Sequence, residues 1–118
     1  MSHTIIISLP NRALNPNARV HWAKAAKAKA AARHEAKIIG LASPLRYKLY
    51  KLASTHVVYY HPTNRRRDAD NHLAMLKATF DGLADAGVVA NDSGFVHYPL
   101  VFEVDLIKPR VEITIKEL

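Results

Sequence analysis

The chain has 118 residues, enough for one domain with one buried core, and its 49% apolar and 23% charged content is that of a globular protein, not a disordered one. Seventeen Lys and Arg against ten Asp and Glu give a net charge of +7, which favours a polyanionic partner, most often nucleic acid. The absence of cysteine excludes disulfides, thiolate catalysis and cysteine-ligated zinc, leaving Asp, Glu, His and Asn as metal ligands.

Residues 4–9 (TIIISL) are β-branched and apolar and predict a strand buried on both faces. This apolar run is far too short to span a membrane. The start MSHTIIISLP lacks the basic flank and cleavage pattern of a secretory signal, so a cytoplasmic protein is expected. Pro10 to Val20, with Asn11, Asn15, Pro16 and Asn17, has loop composition. From about Trp22 to Leu41 the Ala/Lys-rich sequence is strongly helix-forming, and Lys29, Arg33 and Lys37 share one face of that helix. Such a stripe is either a solvated helix face or a phosphate-tracking surface; only Glu35 interrupts its positive charge. Ser43-Pro44 ends the helix.

Residues 52–60 (LASTHVVYY) predict a second strand that runs into the loop HPTNRRR. A helix over about 71–86 follows, with Asp70 as its N-cap and Leu73, Leu76, Phe80 and Leu83 as the stripe that packs on a sheet. Gly87 is placed to stop it. VVANDSG (88–94) reads as a loop, and residues 95–106 and 111–116 as strands, joined by a turn at Lys108-Pro109. The order β-α-β-α-β-β gives an α+β fold, two main helices on a mixed sheet, as a single domain over 1–118.

The segment RRRDADNH (65–72) sets the densest positive charge against two aspartates. On extended backbone Asp68 and Asp70 point the same way, ~7 Å apart. That arrangement suits either an exposed turn or a divalent metal site beside a phosphate grip formed by Arg65, Arg66 and Arg67. Asp92 supplies a third carboxylate from the later loop. Hard cations take oxygen ligands and keep several waters, so two or three carboxylates plus phosphate oxygens suffice. Each acid also has a plain structural role open to it: Asp70 as a cap, Asp92 as a turn residue, Asp68 as a partner of Arg67. Taken together in a basic chain, they favour the metal site.

Lys77 shares a helix face with Asp70, Ala74 and Asp81. It starts about 10 Å along the axis from Asp70 and leans toward the helix N-terminus. It can therefore approach a phosphate over the carboxylates, or simply pair with Asp81; the sequence favours neither. Lys24, Lys27, Lys29 and Arg33 extend the basic surface. His56, His61, His72 and His97 show no metal-binding spacing, and each reads as a satisfied or exposed histidine.

RRRDADN, the following LKATFDGLADAGV and then NDS resemble the RusA family of Holliday junction resolvases, frequent in phages and prophages. The likeness is close over the middle third of the chain, and the asparagine-bearing loop LNPNARVHW and the basic helix fit the same layout. The resemblance implies a homodimeric endonuclease, dependent on Mg²⁺ or Mn²⁺ in its place, that nicks two opposed strands of a four-way DNA junction in recombination and repair. It puts metal-binding and catalytic roles on Asp68, Asp70 and Asp92, with Asn71 completing the motif. NDS stands where the family usually has DDS, so Asn91 replaces one acid. The family's catalytic lysine falls where this chain has Ala74, and Lys77 lies about one helical turn further on. Two other readings stay open: a non-catalytic nucleic-acid binder, and a less selective branched-DNA or flap nuclease. For a dimer interface, the aromatics Tyr59, Tyr60 and Phe95 are the candidates.

Overall fold

The alternation at the C-terminus organises the sheet. In the computed structural model, which describes residues 2–118, Val111, Ile113 and Ile115 of β5 (Arg110–Glu117) are buried, and Glu112, Thr114 and Lys116 turn to the other face. Strand β5 lies between β1 (Ser2–Ile7) and β2 (Ala53–His61), antiparallel to both. Two short strands, β3 (Phe95–His97) and β4 (Val101–Val104), pair in parallel with successive halves of β2. The result is a five-stranded mixed sheet, and the parallel pairings require the helical crossover that residues 62–94 supply.

Two expectations are corrected here. The strand expected over 95–106 is two strands, because Pro99 has no N–H and the ladder lapses at Tyr98–Leu100 before resuming. Strand β1 is buried on one face only. Ile5 and Ile7 are in the core, but Ile6 is 52% exposed on the face opposite to theirs.

Helix α1 spans Trp22–Leu41 as the composition predicts, and Ser43 Oγ donates to the Gly40 carbonyl at its end, 2.8 Å away. Its buried residues are Ala28, Ala36 and Gly40, with Ala32 half-buried, a seam of small side chains. The helix expected over 71–86 is interrupted. Helix α2 covers Ala69–Met75 and α3 covers Lys77–Asp85, with Leu76 between them, its N–H bonded back to Leu73 in a 3₁₀ turn. The N-cap is Asp68, not Asp70.

Helix α3 packs against α1 so closely that a Cβ on Gly82 would overlap the Arg33 carbonyl and stand 2.8 Å from the Ala36 Cβ. At its C-terminus Gly87 takes a left-handed φ of 76°. The Gly87 N–H donates to Ala84 and the Val88 N–H to Leu83, a Schellman stop sealed by the buried pair Leu83 and Val88.

One core unites the sheet and α3, built on Ile5, Val57, Leu76, Leu83, Val111 and Ile113. A small satellite of Ala13, Leu14 and Ala28 holds the 10–20 loop against α1. The aromatic interface candidates are corrected as well. Tyr59 is 1% exposed and Phe95 is buried, while Tyr60 lies under the Arg110 guanidinium, 3.9 Å from its ring centre. Among the described residues, no helix is long and apolar enough to cross a membrane.

Candidate active site

The start of α2 is fixed by polar contacts. Asp68 holds an extended backbone and its carboxylate accepts from the Asn71 N–H at 3.2 Å. The Asp68 carbonyl lies 2.7 Å from His72 Nδ1. A carbonyl only accepts, so His72 carries a proton on Nδ1, and its Nε2 lies 3.1 Å from His61 Nε2. The buried Tyr59 hydroxyl donates to the His72 carbonyl at 2.7 Å. Burial first, then the Arg67 and His72 charges, push the His61 pKa down to about 4, so that ring is neutral. These bonds fasten α2 to the C-terminal half of β2.

Asp92 is presented from the other direction. After the Schellman stop, the Asn91 side chain accepts from the Ser93 N–H at 3.0 Å and from Ser93 Oγ at 2.9 Å, which sets a 3₁₀ turn over Asp92–Gly94. Asn91, where the resembled family usually has an acid, is therefore the cap of this turn, and Asp92 is left exposed.

Asp70 and Asp92 line one cavity of about 330 Å³. Ala74, Lys77 and Asp81 line it too, so the helix face read from the sequence survives the break at Leu76. Phe80 and Phe95 give it an apolar wall beside His97. His97 Nδ1 lies 2.6 Å from the buried Thr55 hydroxyl, and burial lowers its pKa. Asp68 is not among the lining residues; it faces the cap. Among the described residues, no three His, Asp or Glu side chains are grouped closely enough to form a ready-made metal cage. Lys77 Nζ sits 3.1 and 3.4 Å from the Asp81 carboxylate oxygens, the pair that the sequence offers as its plain role. Asp81 is the cavity acid that the sequence reading used only as a counter-ion, although its place on the Asp70 face was visible.

The basic residues divide. A second cleft, about 470 Å³, runs between α1 and the α2–α3 turn past Lys29 and Arg33, and shares Ala74, Lys77 and Asp81 with the acidic cavity. Met75 joins it to a third cleft, under the 10–20 loop, lined by Arg12, Arg19 and Lys24. Shared wall residues set the three side by side as one tract. Arg33 is committed within it: Nε and Nη2 donate to the Asp85 carboxylate at 2.6 and 2.9 Å. Lys27 is exposed but lines none of these clefts. Arg65 and Arg66 are exposed on the loop before α2, and Arg67 donates to the Thr63 carbonyl and hydroxyl. Arg12 and Arg19 are tract residues that the sequence reading did not single out. Nothing but their charge in an asparagine-rich loop marks them.

No family model matches the chain. A protein of Xylella fastidiosa (strain Temecula1 / ATCC 700964), which bears the name "Uncharacterized protein", is 35% identical over 105 residues. The alignment takes in 83% of this chain, and the chain spans 65% of that relative's length.

Proposed function

We propose that this chain is a metal-dependent endonuclease for branched DNA, a Holliday junction resolvase of the RusA type working as a homodimer. The observation that carries the reading is the meeting of Asp70 and Asp92 in one cavity that shares its walls with a basic tract. A polyanion following the tract past Arg12, Arg19, Lys24 and Lys29 would be led to those carboxylates, and Arg65, Arg66 and Asn71 lie within reach of flanking phosphates at the α2 entry. The three-part resemblance of RRRDADN, LKATFDGLADAGV and NDS adds to this.

The donor chemistry fits Mg²⁺, which takes one or two carboxylates and completes its shell with water and phosphate oxygens. Asp70 and Asp92 would hold it, and Asp68 of the same motif would join them as third ligand only by turning from its cap on the Asn71 N–H. When bound, the ion would polarise the phosphodiester and lower the pKa of water. The chain's own residues do the rest. Asp81 holds the Lys77 ammonium at the cavity, where a phosphate can exchange for the carboxylate as its partner, and Phe80 and Phe95 keep that wall dry. Paired cuts across a junction need two copies about a two-fold axis. The exposed edge at Val101 and Val104, continued by Leu106 and Ile107, is the apolar surface a second copy would cover.

A second reading, a binder without catalysis, draws on two contacts: Asp68 caps α2, and Lys77 is already paired. Asp70→Asn separates the readings. On a four-way junction in Mg²⁺, the nuclease loses nicking while junction binding persists or tightens. A binder shows no nicking in either form and none that EDTA removes. Flap and linear duplex substrates run beside the junction distinguish a resolvase from a less selective branched-DNA nuclease.

A further inference from the structure

We infer that His97 is a catalytic residue of the acidic cavity, its imidazole Nε2–H donating to a non-bridging oxygen of the phosphate under attack. The inference rests on the nuclease reading above and gives that site an uncharged hydrogen-bond donor.

Strand register places the ring. Ala53 of β2 stands opposite Phe95 of β3, and Thr55 opposite His97. Side chains two apart share a face, so Phe95 and His97 point together toward α3. There the His97 ring lies 4.5 Å from the Phe80 ring, centre to centre, and Phe95 lies 5.2 Å from Phe80. His97 lines the cavity with Asp70, Lys77, Asp81 and Asp92. Its Nδ1 is taken by the Thr55 hydroxyl at 2.6 Å. Thr55 is 0% exposed, and among the described residues its hydroxyl has no other partner. A buried O–H without an acceptor is costly, so Thr55 donates and Nδ1 accepts. The proton of the neutral ring is then on Nε2, which bonds to none of the described residues.

A placed N–H is what the carboxylates of this cavity cannot supply. As water attacks phosphorus and the bond to the leaving oxygen breaks, negative charge builds on the non-bridging oxygens. A donor already aimed at them lowers that barrier. The charge state of the ring matters as well. His97 as a residue is exposed, but packing on Phe80 and Phe95 desolvates its ring and holds its pKa below the usual value. The ring is therefore neutral at neutral pH. An imidazolium would compete with a divalent cation for Asp70 and Asp92; a neutral N–H does not. The charged groups that line the cavity with it are Asp70 from α2, Lys77 and Asp81 from α3, and Asp92 from the turn after α3. From β2 it meets only the uncharged Thr55.

The experiment measures junction nicking in Mg²⁺, junction binding with Ca²⁺ in its place, and the imidazole nitrogens by NMR in the metal-free protein. His97→Ala should lower kcat about 100- to 1,000-fold, the effect of losing one such donor, with KM and junction affinity within about two-fold. His97→Phe keeps the ring packing without the N–H and should be as slow. His97→Gln carries an amide N–H near the place of Nε2–H and cannot move a proton, so it should restore most of the loss. In the metal-free protein the His97 proton should sit on Nε2. Thr55→Val should mix the two tautomers and slow nicking less than His97→Ala does. Full activity in His97→Ala or His97→Phe overturns the inference and leaves the nuclease reading standing. So does a neutral ring with its proton on Nδ1, or a His97→Gln protein as slow as His97→Ala at an unchanged urea midpoint. A wild-type protein that binds the junction and does not nick it in Mg²⁺ sinks the nuclease reading, and this inference with it.

Discussion

Helices α2 and α3 are separated by one residue and are built on opposite terms. Helix α3 buries Ala78, Thr79, Phe80, Gly82 and Leu83 between sheet and α1, and α2 buries no residue fully. The first is held by packing and sealed by an apolar C-terminal contact; the second is held by a carboxylate cap and a relay of Tyr59, His61 and His72. The motif acids fall on the helix with polar support. Local stability is lowest where few apolar contacts are made, so Asp70 sits on an element that can shift without opening the core. Lys77 and Asp81, on the packed helix, present a fixed wall to the same cavity.

The largest expected effects lie in α3. Leu83→Ala should cost about 2–5 kcal/mol, read as a lower urea midpoint at an unchanged slope. Gly82→Ala tests the seam more sharply. In an open helix that change stabilises by roughly 0.5–1 kcal/mol. Here the added methyl meets the Arg33 carbonyl, and a net loss of about 1–3 kcal/mol is expected. A more stable Gly82→Ala protein would mean that α1 and α3 are not in tight register.

The effect in α2 should be smaller and local. Asp68→Ala removes the cap at a cost of about 1 kcal/mol. It should appear as faster amide exchange confined to residues 69–75, with the urea midpoint little changed. Asp68→Asn caps equally well, so it restores the exchange rates while removing the charge. If Asp68 is a metal ligand, the Asn variant has an ordered α2 and no nicking; if it is only a cap, nicking survives.

This contrast explains what could be read in the sequence. Elements that pack large apolar residues announce themselves: the Leu76, Phe80 and Leu83 stripe, the β5 alternation and the Gly87 stop all stand where the pattern places them. The α1–α3 seam is invisible to that reading, because Ala28, Ala36, Gly40 and Gly82 make contact through smallness and leave no apolar periodicity. The cap moved because DAD offers two competent acids, and the extended backbone at Asp68 makes it the one that caps. Pro99 was a readable break in the strand that the apolar flanks concealed. At the site, the shared face of Asp70, Lys77 and Asp81 was legible from helical spacing. The separation of Asp68 from the cavity was not, since it depends on which backbone N–H its carboxylate meets.

Acid should loosen the polar side of the molecule first. His61 is held near pKa 4 in the folded chain against about 6.5 unfolded. Between those values the unfolded chain binds a proton that the folded one refuses, so stability falls as pH drops from about 6.5 to 4 and is level above it. His97, also lowered by burial, adds with the same sign. In His61→Phe the slope of stability over that window should flatten by up to one proton, whatever its plateau. An unchanged slope would mean that His61 is freely solvated and that the α2 relay is not closed.

The smallest stability effect, and an informative one, belongs to Arg33 and Asp85. They link α1 to the exposed end of α3 by two short bonds, which lower the Asp85 pKa. A depressed carboxylate stabilises above its unfolded value, near 3.9, and that contribution is lost as pH falls through the folded one. Both side chains are partly exposed to water and salt, so Asp85→Asn should move the urea midpoint little at neutral pH. Its effect should instead appear on DNA. The substitution releases Arg33 into the cleft that leads to Lys77, freeing one more cation for phosphate. Binding should tighten, and the slope of log affinity against log salt should steepen by about 0.9 on duplex DNA. An unchanged slope would mean that the phosphate backbone does not pass between α1 and the α2–α3 turn, and the basic tract would then have to follow the loop side alone.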